Sequence, residues 1–335
     1  MKNFTAPLNN PERDDQQLYH EESSSVVPLT SIPPKPELEE TKTRVNVWVK
    51  SLSSLALYIA VGYFFFNQNW LLVIILTAVV IFHELGHFFA MKLYDYKDLG
   101  IFFIPLMGAY VSGTKHEISQ KQSAIVLLAG PVPGIIVGVI LHWLAGYYDT
   151  YLLEKIAWIL IYLNILNLLP VYPLDGGQLL NRLFFDDYKI IGKIFIVLSA
   201  SALAWFAWSI SFYPLLVFPA MMLIRMAGDF KFDKLTQNIE KEGINLDTTY
   251  EQISDEDYWK IRNAVIKYHP ELKDVEPAPP FEYSDKEDKV ITTIQGLLQR
   301  TLSQDLSIAG KLLILVLWIG CFFMPVLMKI PLRIF

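Results

Sequence analysis

His83, Glu84 and His87 stand in the run His83-Glu84-Leu85-Gly86-His87, near the end of a long apolar stretch. Histidines four positions apart lie on one helical face, one turn apart. Two neutral imidazoles at that spacing can hold one zinc ion, and the glutamate between them can reach a water that the ion acidifies. Zinc brings the pKa of such a water to about 7, and Glu84 would take its proton. Two histidines and a glutamate inside a lipid-spanning run are costly, and such residues mark functional sites. The plainer alternative is that the three cap a helix end near the membrane surface.

A catalytic zinc takes a third protein ligand and keeps one position open. Asp175 is the next candidate, in Asn167-Leu168-Leu169-Pro170-Val171-Tyr172-Pro173-Leu174-Asp175-Gly176-Gly177. Pro170 and Pro173 break a helix there. Unwound backbone at membrane depth is tolerated only in a protein-lined or wet cavity. In the alternative reading Asp175 merely caps the helix that follows. The remaining histidines have no partner at ligand spacing. His116 reads as a solvated loop residue or a substrate contact, His142 lies at the far end of an apolar block, and His20 and His269 lie in polar segments.

These residues need elements to carry them. The 335-residue chain is 53% hydrophobic and 19% charged, against about 45–50% and about 25% in soluble domains. The excess collects in blocks near Leu52–Phe66, Trp70–Leu93, Ala124–Leu144, Ile156–Leu169, Ile190–Ile210, Pro214–Met226 and Leu312–Met328. Blocks of about 20 apolar residues match a bilayer core. The fold class expected is an all-α polytopic membrane protein, with six core transmembrane helices and one more at the C-terminus. Aromatic and β-branched residues between glycine and proline over Leu99–Gly113 predict a small membrane-associated β-hairpin. Its open edge must be covered by protein or sit at the interface.

The expected domains are a disordered polar tail over 1–45, a membrane core over 46–228, a soluble insert over 229–307 and a further transmembrane helix over 308–335. In the insert, one amphipathic helix begins at a Ser254 cap and presents Tyr258, Ile261, Val265 and Ile266; another presents Val290, Ile294, Leu297 and Leu298. Lys92, Lys97, Lys115, Lys121, Arg182, Lys189, Lys193, Arg225, Lys231 and Lys234 fall on one side of the proposed spans, and the opposite loops carry Lys155. The rule that basic loops stay inside puts the N-terminus and the insert in the cytoplasm. Lys329 and Arg333 fall on the other side. No cleaved signal peptide is indicated. A net charge of −6 argues against a nucleic-acid partner. The single cysteine, Cys321, permits no intrachain disulfide. Oligomeric state is left open.

His-Glu-Leu-Gly-His, together with Asn-x-x-Pro-x-x-x-Leu-Asp-Gly, resembles the site-2 protease family of intramembrane zinc metallopeptidases. The resemblance covers about Leu57–Met226. It implies zinc held by His83, His87 and Asp175, with Glu84 as general base. It implies that Asn167 orients substrate or stabilises the oxyanion. Gly108, Ala109, Tyr110 and Val111 resemble the hairpin that pairs with an unwound substrate strand, and Ala129-Gly130-Pro131 a small-residue packing motif. The PDZ insertion of many bacterial members has no room here. The implied function is hydrolysis of peptide bonds in or near transmembrane segments of membrane proteins, in a lipid bilayer of bacterial cell-membrane type. The alternatives are a non-catalytic membrane scaffold of the same fold and a metal transporter. The intact His-His-Glu-Asp set argues against the first, and ligands gathered at one depth argue against the second.

Overall fold

A computed structural model describes residues 32–37, 46–105, 108–115, 118–185, 188–246, 248–298, 302–328 and 330. His20 and His116 lie outside the described residues.

The chain divides into two compact units, one made of 45–228 with 301–335, the other of 1–44 with 229–300. The first unit opens with two helices, α1 (Val47–Phe65) and α2 (Trp70–Leu93). Asn69 caps α2 by accepting from Leu72 N–H, as an N-cap asparagine does. A hairpin follows, β1 (Lys97–Ile104) and β2 (Gly108–Thr114), antiparallel with Phe102 opposite Tyr110 and Phe103 opposite Ala109. A two-residue strand, β3 (Ile118–Ser119), leads into α3 (Gln120–Ala129) and then α4 (Pro131–Tyr148). The single block expected there divides at Gly130-Pro131, because proline has no N–H to continue the ladder. After α5 (Tyr151–Asn167) the backbone unwinds, then resumes as α6 (Asp175–Leu180) and a π-turn over Asn181–Phe185. α7 (Lys189–Ser209) completes this region, and α8 (Val217–Lys241) leads into the second unit.

By length and composition, five stretches among the described residues can cross a bilayer: α1, α2, α3 with α4, α7 and the C-terminal helix over Ile308–Leu327. Large apolar side chains stand outward on them, including Ile190 at 75%, Trp205 at 72% and Ile308 at 80% exposure. A soluble protein would not show faces of this kind. The chain is an integral membrane protein. The spans expected at Ile156–Leu169 and Pro214–Met226 are not among the five. α5 has 17 residues, about 26 Å at about 1.5 Å per residue, before it unwinds. α8 carries Arg225, Asp229, Lys231, Asp233 and Lys234 along its length.

The packing inside this unit gathers α2, α4 and α5. Ile75 and Val79 of α2 meet Ile159 and Leu160 of α5, while Ile135 and Val139 of α4 meet Ile161. Ala124 and Leu127 of α3 pack on Leu179 and Leu183. The hairpin is not left open on both sides: Ser54 of α1 accepts from Phe103 N–H at 3.1 Å, and Tyr58 packs on the Phe103 ring.

The second unit is built on α9 (Asp255–Tyr268) and α10 (Glu287–Leu298). Ser254 caps α9 by accepting from Asp257 N–H. Tyr258, Ile261, Val265 and Ile266 are buried against Val290, Ile294, Leu297 and Leu298, as their helical spacing requires. Arg262 is fully buried in a two-point pair with Glu287, at 2.8 and 2.9 Å, and Tyr258 donates to the same carboxylate. Burial, and then the Glu287 charge, raise the Tyr258 phenol above its usual range, so it stays a donor. The chain then passes through β4 (Leu302–Ser303), parallel to β3, into α11 (Ile308–Leu327) of the first unit.

Candidate metal centre

His83 and His87 lie one turn apart on α2, and Asp175 opens α6 just past the unwound segment. Their ligand atoms converge. His83 Nε2 is 3.1 Å from His87 Nε2, and Asp175 Oδ2 lies 3.2 Å from the first and 3.3 Å from the second. All three side chains are buried or nearly so, at 5%, 10% and 12% exposure.

The hydrogen bonds around this triangle fix which atoms carry protons. Asn164 Nδ2 donates to Leu160 O at 2.7 Å, so its Oδ1 is left to accept. His83 Nδ1 lies 2.7 Å from that Oδ1 and must donate to it. His87 Nδ1 lies 2.8 Å from the carbonyl of Val126 and must donate as well. With both Nδ1 atoms protonated, neutral imidazoles turn bare Nε2 lone pairs toward each other. Among the described residues, no hydrogen bond reaches the buried Asp175 Oδ2. Three lone pairs facing one point repel unless a cation lies among them. Ligands about 2.0–2.1 Å from a tetrahedral zinc stand about 3.3–3.4 Å apart, close to the sides seen here. Two nitrogens and one carboxylate oxygen suit zinc better than magnesium or calcium, which favour all-oxygen sets. The residues present therefore fit a zinc ion with one position left for water or substrate. Glu84, 5% exposed, is on the same turn of α2.

The glycines of the motifs are needed for the close approach of backbones. A methyl group at Gly86 would stand 2.0 Å from Ala129 O, and one at Gly130 2.3 Å from His87 Nε2. α2 and the α3–α4 junction thus meet where only glycine fits, and this seats the His87 ring on Val126 O.

The unwound segment between α5 and α6 keeps its polar groups satisfied, as irregular backbone among membrane helices must. Trp318 of α11 donates its indole N–H to Leu168 O at 3.0 Å, and Ser199 of α7 accepts from Tyr172 N–H at 3.1 Å. Gln178 donates to Pro173 O at 2.8 Å. At α3, whose Val126 carbonyl orients His87, Asp305 accepts from Lys121 N–H at 3.1 Å beside the β3–β4 pair. The C-terminal span thus ties down the Asp175 loop, and the segment leading into it ties down the helix whose carbonyl holds His87.

Asn167, expected to orient substrate or stabilise the oxyanion, donates back to Leu163 O at 3.2 Å, on its own helix. The partner of His83 is Asn164, fully buried, which sequence reasoning missed. The signal available was a second asparagine, one turn earlier, in an otherwise apolar helix. Gly108, Ala109, Tyr110 and Val111 lie on β2. Ser54 binds Phe103 N–H from outside the hairpin, so the pair Phe103–Ala109 is the non-hydrogen-bonded kind. Ala109 N–H and C=O, and by alternation those of Val111, then point away from β1. The hairpin rests on α2: a methyl at Gly113 would come within 2.9 Å of Met91, one turn beyond His87.

Asn164 yields a first expectation. Asn164→Leu keeps the branching at Cγ but leaves His83 Nδ1–H without its acceptor. Loss of such a ligand-orienting partner weakens metal binding roughly 10–100-fold. Competition against a chelating dye measures this, and an unchanged affinity would show that Asn164 does not set the His83 ring.

The region that carries these residues is similar to known proteins. The model of peptidase family M50 matches residues 71–153 and 149–204. A curated zinc metalloprotease of Methanocaldococcus jannaschii is 28% identical over 142 residues, covering 40% of this chain and 41% of that protein. Stage IV sporulation protein FB of Bacillus subtilis is 29% identical over 111 residues, covering 32% and 38%. The chain thus spans about two fifths of the length of these relatives. A solved site-2 protease from Methanocaldococcus jannaschii is similar at a TM-score of 0.39 and 24% identity, over 52% of this chain and 84% of that one. Residues 71–204, the region that carries His83, His87 and Asp175, thus match the model of peptidase family M50 and are similar to a curated zinc metalloprotease.

Proposed function

We propose that this protein is a zinc-dependent endopeptidase that hydrolyses peptide bonds in or beside the transmembrane segments of other membrane proteins, releasing their tethered domains. One observation carries the reading: three bare ligand atoms in a triangle of 3.1–3.3 Å, with Glu84 on the same helical turn. His83, His87 and Asp175 hold the ion, which when bound supplies Lewis acidity for the scissile carbonyl and acidifies water.

The chain's own residues do the rest. The Glu84 carboxylate takes a proton from the attacking water and returns it to the leaving amine. Asn164 fixes the His83 ring. Asn167, once substrate draws its amide away from Leu163 O, steadies the developing oxyanion. An intact substrate helix shields its peptide bonds, so the substrate must unwind. The outward backbone groups of Ala109 and Val111 offer it a strand edge, with Gly108 and Tyr110 beside them. The N-terminus faces the cytoplasm, in a membrane of bacterial type.

The test uses purified protein in detergent with a polypeptide containing one transmembrane segment. Cleavage is expected within or next to that segment, to cease on chelation and to return with zinc alone. Cleavage that survives complete metal removal would exclude the zinc mechanism. A loaded enzyme that cuts only soluble peptides would exclude the membrane substrate.

A further inference from the structure

Residues 32–37, Ile-Pro-Pro-Lys-Pro-Glu, lie in the stretch expected to be a solvated tail. They are instead held against the unit that contains α9 and α10. Proline fixes its own φ and forces the residue before it into extended backbone, so this run is pre-set as a polyproline II strand, with carbonyls turned outward.

Among the described residues, the carbonyls of Pro33, Pro34 and Pro36 each accept from an aromatic side chain. Trp259 Nε1–H donates to Pro33 O at 2.9 Å, the Tyr283 hydroxyl to Pro34 O at 2.5 Å, and the Tyr250 hydroxyl to Pro36 O at 2.9 Å. The rings form one surface, with Trp259 5.5 Å from Tyr283 and 5.2 Å from Phe281. Burial, and then nearby carboxylates, raise the Tyr250 and Tyr283 phenols, so both remain donors. Lys35 supplies a specific key. Its ammonium donates to the carbonyls of Tyr250, Glu251 and Ile253 at 2.8, 2.9 and 2.6 Å, which uses all three of its N–H bonds. It also stands 5.6 Å from the Tyr250 ring, within cation–π reach. Its backbone N–H, the only one between Pro33 and Pro36, donates to Asp255 Oδ1 at 2.8 Å.

Rings that donate to proline carbonyls, with one pocket for a basic residue between prolines, are the means by which proline-rich peptides are recognised. Among the described residues, the segment accepts from three aromatic side chains and donates through Lys35 to a carboxylate and three carbonyls, and no strand ladder ties it into the fold. We propose that the 229–300 unit is a recognition site for Pro-Pro-Lys-Pro peptides, and that the chain's own residues 32–37 are its reversible, tethered ligand. The N-terminal tail is then clasped to this unit by an exchangeable contact. This inference stands apart from the metal centre.

The experiment uses the full chain in detergent and a fluorescein-labelled peptide copying residues 29–40. Tethering raises the local concentration of the resident segment, so the wild-type chain binds the free peptide weakly. The K35A/P36A chain, whose own segment has lost its key contacts, is expected to bind it at least about tenfold more tightly. A peptide carrying K35E should not bind, and W259F in the K35A/P36A chain should weaken binding severalfold. Thermal melting of each variant is followed in parallel. If the K35A/P36A chain keeps its melting profile and binds no peptide, the contact is only packing and the proposal fails. If those two substitutions unfold the unit, the segment is an integral strut and the proposal fails equally.

Discussion

Glu84→Gln is expected to lower the rate of peptide hydrolysis by roughly 10²–10⁴-fold, the range that a positioned general base contributes, while zinc content and folding stay as in the wild type. The residue stands between the two histidines in the sequence of α2 and is buried at 5% exposure. Glutamine has the same shape and volume, so α2 keeps its packing and its caps. The three ligand atoms are not touched. The variant removes only the ability to accept and return a proton. Metal analysis of the purified protein, a melting curve and turnover of a transmembrane substrate read the three consequences separately. The combination also separates mechanisms. A scaffold would cut nothing in either form. A transporter would be indifferent to whether the residue beside its ligands can act as a base. Retained zinc with turnover unchanged would remove Glu84 from the chemistry, and the proposed reaction with it.

The parts of the site that were legible are those encoded by residue type at fixed spacing. Histidines at i and i+4 on a helix must bring their rings together, and the Nε2 atoms stand 3.1 Å apart. Two prolines before an aspartate announce a broken helix, and α5 does end at Asn167, with seven residues, 168–174, separating it from α6. Spacing could not supply contacts that depend on backbone atoms. The Val126 carbonyl that orients His87 is presented by the geometry of α3, whatever side chain stands there. The indole of Trp318 on Leu168 O joins residues 150 positions apart, and nothing local to either one signals it. Asn164 was visible as a residue type, but an apolar helix with asparagines one turn apart does not say which of them faces α2. The helices α9 and α10 were plain because their apolar stripes repeat at 3.6 residues, whereas the clasp on residues 32–37 was hidden. A proline-rich polar stretch has the composition of a disordered linker, and only the facing tryptophan and tyrosines turn it into a ligand.

Asp175→Ala is expected to yield a folded protein that is purified without zinc and does not hydrolyse substrate. Asp175 Oδ2 is the single anionic atom in the triangle and is 3.2–3.3 Å from both imidazoles. Without it, two neutral nitrogens remain, and a dipositive ion taken out of water keeps no compensating charge. The loss of affinity should exceed the roughly 10–100-fold expected when only an outer partner of a ligand is removed. The backbone around it has independent support. Gln178 holds Pro173 O, Trp318 holds Leu168 O, and a methyl at Gly176 would press to 2.1 Å of that same carbonyl, so the loop is fixed by packing that alanine at 175 does not disturb. Metal content after dialysis against zinc, the melting curve and turnover are the measurements. Asp175→Asn should fall between, since its amide oxygen can still ligate but without charge. Set beside Glu84→Gln, the two variants give opposite zinc contents with the same loss of turnover, a pattern that only a metal-dependent hydrolase produces. An Asp175→Ala protein that retains stoichiometric zinc would mean that the third ligand lies elsewhere, and that the convergence of α2 and α6 is packing alone.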